Sequence, residues 1–142
     1  MNVSFTIPGA PQGKERPRFN RNTGRTYTPA KTRDYEKLVE WAYKCEAHGA
    51  RFTGPISANI VAVYPVPHSW SKRQQAKATS GQQLPLVKPD LDNVAKAVLD
   101  ALNGLAYRDD AQVTFLSICK RYGERPCVVV SLMGEEATDD TM

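Results

Sequence analysis

The chain has 142 residues, of which 41% are hydrophobic, enough for the core of one domain and too few for two. Lys and Arg outnumber Asp and Glu by 19 to 15, and four of the acids sit in the terminal stretch GEEATDDTM, so the body holds 19 basic against 11 acidic residues. That balance suits a polyanionic partner, nucleic acid or an anionic membrane surface, although a mildly basic protein can also owe its charge to solubility alone.

No run approaches the ~18 consecutive apolar residues of a membrane span, and MNVSFTIPGAP lacks the charged start and apolar stretch of a signal peptide. No membrane association is therefore expected, and the cytoplasm is the expected location. Cys45, Cys119 and Cys127 show no C-x-x-C spacing, and only His48 and His68 accompany them. This argues against zinc and predicts reduced, structural cysteines. Cys119 and Cys127 are placed to face each other across a hairpin, as packing rather than as a disulfide.

Val3 to Ile7 alternates apolar and polar residues and stops at Pro8-Gly9, the pattern of a first strand. From Pro11 to Pro29 the chain is too polar for a core. It carries Lys14, Arg16, Arg18, Arg21 and Arg25 with Phe19 and Tyr27 among them, and Asn22-Thr23-Gly24 can fold it into a short hairpin arm. The basic residues of this arm, with Lys88 further on, are read as contacts to DNA phosphates. Phe19 or Tyr27 is able to stack on an unpaired base, or to pack back on the body.

Lys31 to His48 has helical spacing and a stop at Gly49, with Thr32 as candidate cap and Asp34 in the first turn. Trp41 and Tyr43 lie near its core face and are expected in packing or dimer contacts. Ile56 to Val66 reads as a strand bounded by Gly54-Pro55 and Pro65-Val66-Pro67. His68 falls in an exposed loop with nothing nearby to orient its ring. A short polar helix over WSKRQQAKATSG follows, its Lys72, Arg73 and Lys77 accounted for equally by a solvated face or a weak basic patch.

Asp90 to about Asn103 is a second strong helix ending at Gly104. Gln112 to Lys120 and Cys127 to Met133 read as a strand pair joined by a turn. The predicted fold is a single-domain α/β (α+β) layer, residues 1–134, with helices flanking a small mixed sheet. Its basic arm spans about 11–29, and residues 135–142 form an acidic, disordered tail.

The segment KPDLDN concentrates negative charge where that helix begins. Pro89 and Asp90 have an ordinary reading as helix entry and cap, and Asp92 gains from the helix dipole and from Lys96 four residues on. The helix also sets Asp92, Lys96, Asp100 and Asn103 in a polar stripe opposite Leu91, Ala95, Val98 and Leu102. Asp109 and Asp110 rejoin that stripe if the following strand packs alongside its N-terminal end. Carboxylates gathered in this way need a cation, and oxygen ligands alone point to Mg²⁺ or Mn²⁺. On a basic protein the matching chemistry is phosphodiester cleavage, in which Lys96 could stabilise the transition state or orient water.

KPDLDNVAKAVLDALNGLAYRDDAQV resembles the signature of the RusA family of Holliday-junction resolvases, often carried by prophages. The resemblance lies in D-L-D-N, the lysine four residues after its second aspartate, D-A-L-N-G and D-D-A-Q-V. GKERPRFNRNTGRTYTPAKTRDYE also looks like the basic N-terminal region of phage members, so the likeness runs from about Pro8 to Val113. It implies a homodimeric α/β endonuclease using Mg²⁺, or Mn²⁺, and no organic cofactor to cut four-way DNA junctions in pairs. It implies essential roles for Asp90, Asp92, Asp110 and Lys96, with Asp109 as the second choice at the D-D pair. A non-catalytic junction-binding protein and a nuclease for other branched nucleic acids are the rival readings.

Overall fold

The computed structural model describes residues 1–138. Ten elements follow one another: β1 (Asn2–Pro8), β2 (Arg18–Asn20), β3 (Arg25–Tyr27), α1 (Ala30–Ala47), β4 (Phe52–Pro65), α2 (Lys72–Thr79), α3 (Leu91–Ala101), a 3₁₀ turn (Asp110–Gln112), β5 (Val113–Gly123) and β6 (Cys127–Glu136). This is the expected α+β layer: a four-stranded mixed sheet in the order β1-β6-β4-β5, with β2 and β3 as a separate hairpin.

Alternation along β1, β6 and the middle of β4 buries one face of the sheet. Val3, Phe5 and Ile7 of β1, Val128, Val130 and Leu132 of β6, and Ile56, Ala58, Ile60 and Ala62 of β4 point into the core. Tyr35, Val39, Ala42 and Tyr43 of α1 and Val94, Ala97 and Val98 of α3 meet them there. Much of the opposite face is exposed or half-buried. Three cross-strand rows lie there, set by the register: Asn2–Met133–Ser57–Phe115, Ser4–Ser131–Asn59–Ser117 and Thr6–Val129–Val61–Cys119.

Several expectations change. The last two strands are not neighbours: β5 pairs with β4 in parallel, and β6 pairs antiparallel with β4 and β1. The reason is the connection before β5, because a crossover through α2 and α3 returns the chain parallel to β4. The short Glu124–Pro126 link then carries it over the end of β4. Cys119 therefore lies opposite Val61 and Cys127 opposite Val63, with β4 between them. All three cysteines are free, and Cys45 and Cys119 are exposed rather than packed.

Gly54-Pro55 does not bound β4 but forms a bulge inside it, with Gly54 at φ 68 and a register shift between Thr53 and Ile56; a bulge accommodates a proline that has no N–H to give the ladder. Pro29 takes the N-cap position of α1, so Thr32 is buried within the first turn and Asp34 falls beyond it. Trp41 is 56% exposed, whereas Tyr43 is buried. Glu135 and Glu136 extend β6 instead of starting a disordered tail, and Ala137 N–H donates to Arg51 O at 2.8 Å. The rest of that predicted tail, from residue 139, lies outside the described residues. No helix among the described residues is long and apolar enough to cross a membrane.

Candidate active site

The groove that gathers the acids is made by two elements of very different character. One is α3, apolar on the side it turns to the sheet and charged on the other. The second is the arm, which crosses the start of α3 so closely that a Cβ on Gly13 would meet Pro89 Cβ at 3.2 Å and overlap the Asn93 amide. Any side chain at 13 would therefore have to displace the Asn93 amide. Glu15 N–H donating to Thr32 Oγ1 at 3.2 Å fixes the arm to α1. Lys14, Arg16, Lys88, Asp90, Asp92 and Lys96 line the resulting groove, and Asp100 closes its far end.

Asp90 stands at the N-cap position of α3, yet its side chain makes no capping hydrogen bond. Its Oδ1 lies 3.5 Å from Lys88 Nζ. A cap is therefore not what the carboxylate does. The loop that delivers it is held from below: Tyr64 OH donates to Pro89 O at 2.6 Å, and Lys120 Nζ donates to Val87 O at 2.7 Å while lying 5.1 Å over the Tyr64 ring. The Lys88–Pro89 peptide is cis. Burial, followed by the nearby Asp90 charge, raises the Tyr64 hydroxyl above its ordinary pKa.

The second acidic pair returns to the stripe at its C-terminal end, not its N-terminal end. A tight loop does this, with Gly104 N–H bonded to Tyr107 O at 2.8 Å and the buried Tyr107 hydroxyl donating to Leu99 O at 2.6 Å. So short a return keeps Asp110 within a turn of the helix end, where its N–H donates to Asn103 Oδ1 at 2.8 Å. Asp109 is drawn into a capping box: its Oδ1 accepts from Ala111 N–H at 3.3 Å while Gln112 Oε1 accepts from Asp109 N–H at 3.1 Å. Gln112 also donates to Gly54 O at 3.1 Å, tying the turn to the β4 bulge.

Asp110 shares a hydrogen bond with Asp100, and this, with burial and then Asp109, pushes its pKa up to about 6. Burial acts to raise Asp100 too, but hydrogen bonds from Lys14 and Asp110 outweigh it and hold that carboxyl below its usual value. Lys14 Nζ sits 2.8 Å from Asp100 Oδ2 and is itself raised, chiefly by that bond.

The stripe thus brings together Asp90, Asp92, Lys96 and Asp100, and the loop adds Asp110 beside Asp100. Asp92 and Asp100 are separated by about 12 Å of helix axis. Among the described residues no three Asp, Glu, His or Cys side chains close on one point as a formed ion site. The acids fall into two groups, Asp90 with Asp92 and Asp100 with Asp110, and Lys96 stands between them on the helix. Asp100 was visible in the stripe but not chosen as a site residue; only its pairing with Asp110 singles it out. Lys14 was read as a phosphate contact, and the tertiary structure gives it a carboxylate partner as well. Of the remaining basic residues, Arg18, Arg21 and Arg25 are carried out on the β2–β3 hairpin with Phe19 at 62% and Tyr27 at 48% exposure. Arg18 lies 3.4 Å from Glu15.

The chain as a whole has counterparts among known proteins. The chain is 37% identical over 134 residues, 92% of its own length and 94% of the relative's, to the uncharacterized protein YqaN of Bacillus subtilis strain 168. Residues 8–133 match the family described as Endodeoxyribonuclease RusA. Because that match spans arm, sheet, α3 and the Asp110 turn together, the chain belongs to the RusA endodeoxyribonuclease family.

Proposed function

We propose that this protein resolves four-way (Holliday) DNA junctions by paired, symmetric, metal-dependent nicks, in the service of DNA recombination and repair. One observation carries the reading: in a net basic protein, Asp90, Asp92 and Asp100 share one open groove with Lys14, Arg16, Lys88 and Lys96 on its walls, and Asp110 is hydrogen-bonded to Asp100 at its far end. A structural role does not call for this arrangement, because carboxylates set side by side repel, and Asp110 relieves the strain by holding a proton up to about pH 6.

The donor set fits a hard divalent cation, Mg²⁺ or Mn²⁺, since it is all oxygen and carries more negative charge than Lys14 offsets. Asp90 with Asp92 at one end, or Asp110 with Asp100 at the other, are the groups that would hold such an ion. Asp109 is the poorer ligand because one of its oxygens serves the turn. When bound, such an ion lowers the pKa of water and offsets charge on the phosphate. The chain's own residues do the rest. Lys96 faces the groove midway along α3 and stabilises charge that develops on the scissile phosphate. Lys14, Arg16 and Lys88 hold the flanking backbone, and Arg18, Arg21 and Arg25 extend that contact along an arm of the junction.

The test is nicking of a synthetic mobile four-way junction and a matched linear duplex with Mg²⁺, Mn²⁺ or EDTA. Cuts confined to the junction and abolished by EDTA are expected. Tight junction binding with no cut under either metal would instead make this a non-catalytic junction-binding protein.

A further inference from the structure

No Asp or Glu occurs from residue 47 to residue 89, although the chain holds 15 of them. Burial explains this along much of β4 but not in α2, where Ala78 alone is buried. Lys72, Arg73 and Lys77 are exposed, and no ion pair among the described residues includes them. An exposed helix ordinarily sets acids one turn from its bases, as α1 does with Glu40 and Lys44. In α2 the other polar side chains are neutral. Gln82 and Gln83 N–H groups donate to Lys77 O at 3.0 and 3.2 Å, folding the connector back on the helix end. Ser71, Arg73, Gln74, Lys77 and Gln83 then line one open concavity, with Arg73 and Lys77 about 6 Å apart along the helix axis. Lys72 lines a separate hollow with Glu124 and does not belong to this surface.

The position of α2 matters as much as its charge. Trp70 meets Tyr122 edge-on, with ring centroids 5.5 Å apart, and seats α2 on β5. Lys120 lies two residues before Tyr122 on the same face of β5, and Tyr64 pairs with Tyr122 across the ladder. These two hold Val87 O and Pro89 O, so α2 and the loop bearing Asp90 are anchored on adjoining side chains. The hairpin arm comes from the other side: it follows β1, at the opposite edge of the sheet from β5, and is tied to α1 through Glu15. The acidic groove therefore has a basic element on either flank.

We infer that the α2 concavity holds the phosphate backbone of a second junction arm, other than the one met by β2 and β3. The choice of a branched substrate rests on the endonuclease reading above. Two cations with amide and hydroxyl donors around them, in a segment free of carboxylates, suit phosphate oxygens. An anionic membrane fits less well, because α2 exposes no large apolar side chain to insert. A linear duplex lying along the hairpin and the groove leaves α2 empty. A junction, whose arms diverge from the point of cutting, reaches both flanks, so α2 adds affinity for branched DNA in particular.

The closing experiment measures binding of the full chain to a four-way junction and to a matched linear duplex by fluorescence anisotropy, in EDTA so that metal-dependent cutting is suppressed. The double variant Arg73→Gln, Lys77→Gln should bind the junction about tenfold more weakly at ~0.1 M salt, and its plot of log affinity against log salt should be about two units less steep. Its duplex affinity should change by less than about twofold, because α2 is idle there. Lys37→Gln, Lys44→Gln removes the same charge from exposed positions of α1 and should leave both affinities unchanged. Circular dichroism checks the fold, and if the double variant does not fold, Lys77→Glu alone is read in the same way. Equal losses on junction and duplex overturn the inference, as do a loss no larger than that of the α1 variant and a wild-type protein that binds the junction no better than the duplex. Intact junction binding with lost binding to anionic lipid vesicles also overturns it and makes α2 a membrane contact. A protein that behaves as expected here yet never cuts the junction with Mg²⁺ or Mn²⁺ leaves α2 standing and overturns the proposed function instead.

Discussion

Replacing Asp92 by Asn keeps the shape of the side chain and removes the charge that would hold a cation at the mouth of the groove. Junction cleavage is expected to fall by roughly 10²-fold or more, with binding unchanged or tighter because one repulsive charge facing phosphate is gone. Gel-shift and nicking assays on the same preparation check both; joint loss of binding and cutting would mean a folding role. Asp100→Asn removes the largest cause of the raised Asp110 pKa, so that pKa should drop from about 6 toward the ordinary carboxylate range, as followed by carboxyl NMR. The sign of the pH effect follows from the same shift. Asp110 has a folded pKa above its unfolded one, so its contribution to stability is complete at low pH and is lost as pH rises through about 6. Asp100, lowered by its partners, contributes in the opposite sense and loses its part as pH falls. A bound cation displaces the Asp110 proton, so Mg²⁺ should raise the melting temperature more at pH 7.5 than at pH 5.5. Equal shifts at the two pH values would remove Asp110 from the ion site.

At the scale of elements, the groove depends on how the arm and the 87–90 loop are held. Gly13→Val is expected to push Asn93 aside and lift the arm from α3, reducing junction affinity by about tenfold or more through lost phosphate contacts. Wild-type affinity in that variant would mean the arm binds DNA from another position. Tyr64→Phe removes the hydroxyl that donates to Pro89 O. It should cost about 1 kcal/mol, seen as a lower melting temperature, and should reduce cleavage more than binding because Asp90 is carried by that loop. Much of this was legible. The alternation in β1, the helical spacing of α1 and α3, and the Asn22-Thr23-Gly24 turn of the hairpin all express local rules of backbone and side-chain geometry. The bulge at Gly54-Pro55 was misread as a boundary, since a glycine-proline pair looks the same where a strand ends and where it kinks and continues.

At the scale of the whole molecule, the site is an agreement among segments far apart in the chain. Lys14 meets Asp100, Thr32 holds Glu15, and Gln112 reaches the β4 bulge at Gly54. Salt dependence tests the electrostatic design as a unit: junction affinity should fall steeply between 50 and 200 mM salt, by on the order of 10³-fold if about six phosphates are contacted. A flat dependence would mean that the arm and groove lysines do not meet the backbone.

The sequence by itself determined the family, the class of fold, the helix that bears Asp92, Lys96 and Asp100, and the basic character of the arm, because each is written in neighbouring residues and short periods. Tertiary structure alone decided that β4 lies between β5 and β6, that Asp110 joins Asp100 rather than Asp92, and that Asp109 is spent on a turn. Those outcomes depend on the direction in which a crossover returns a strand and on how tightly an eight-residue loop can close. Neither property belongs to any one residue, so no local pattern announces them.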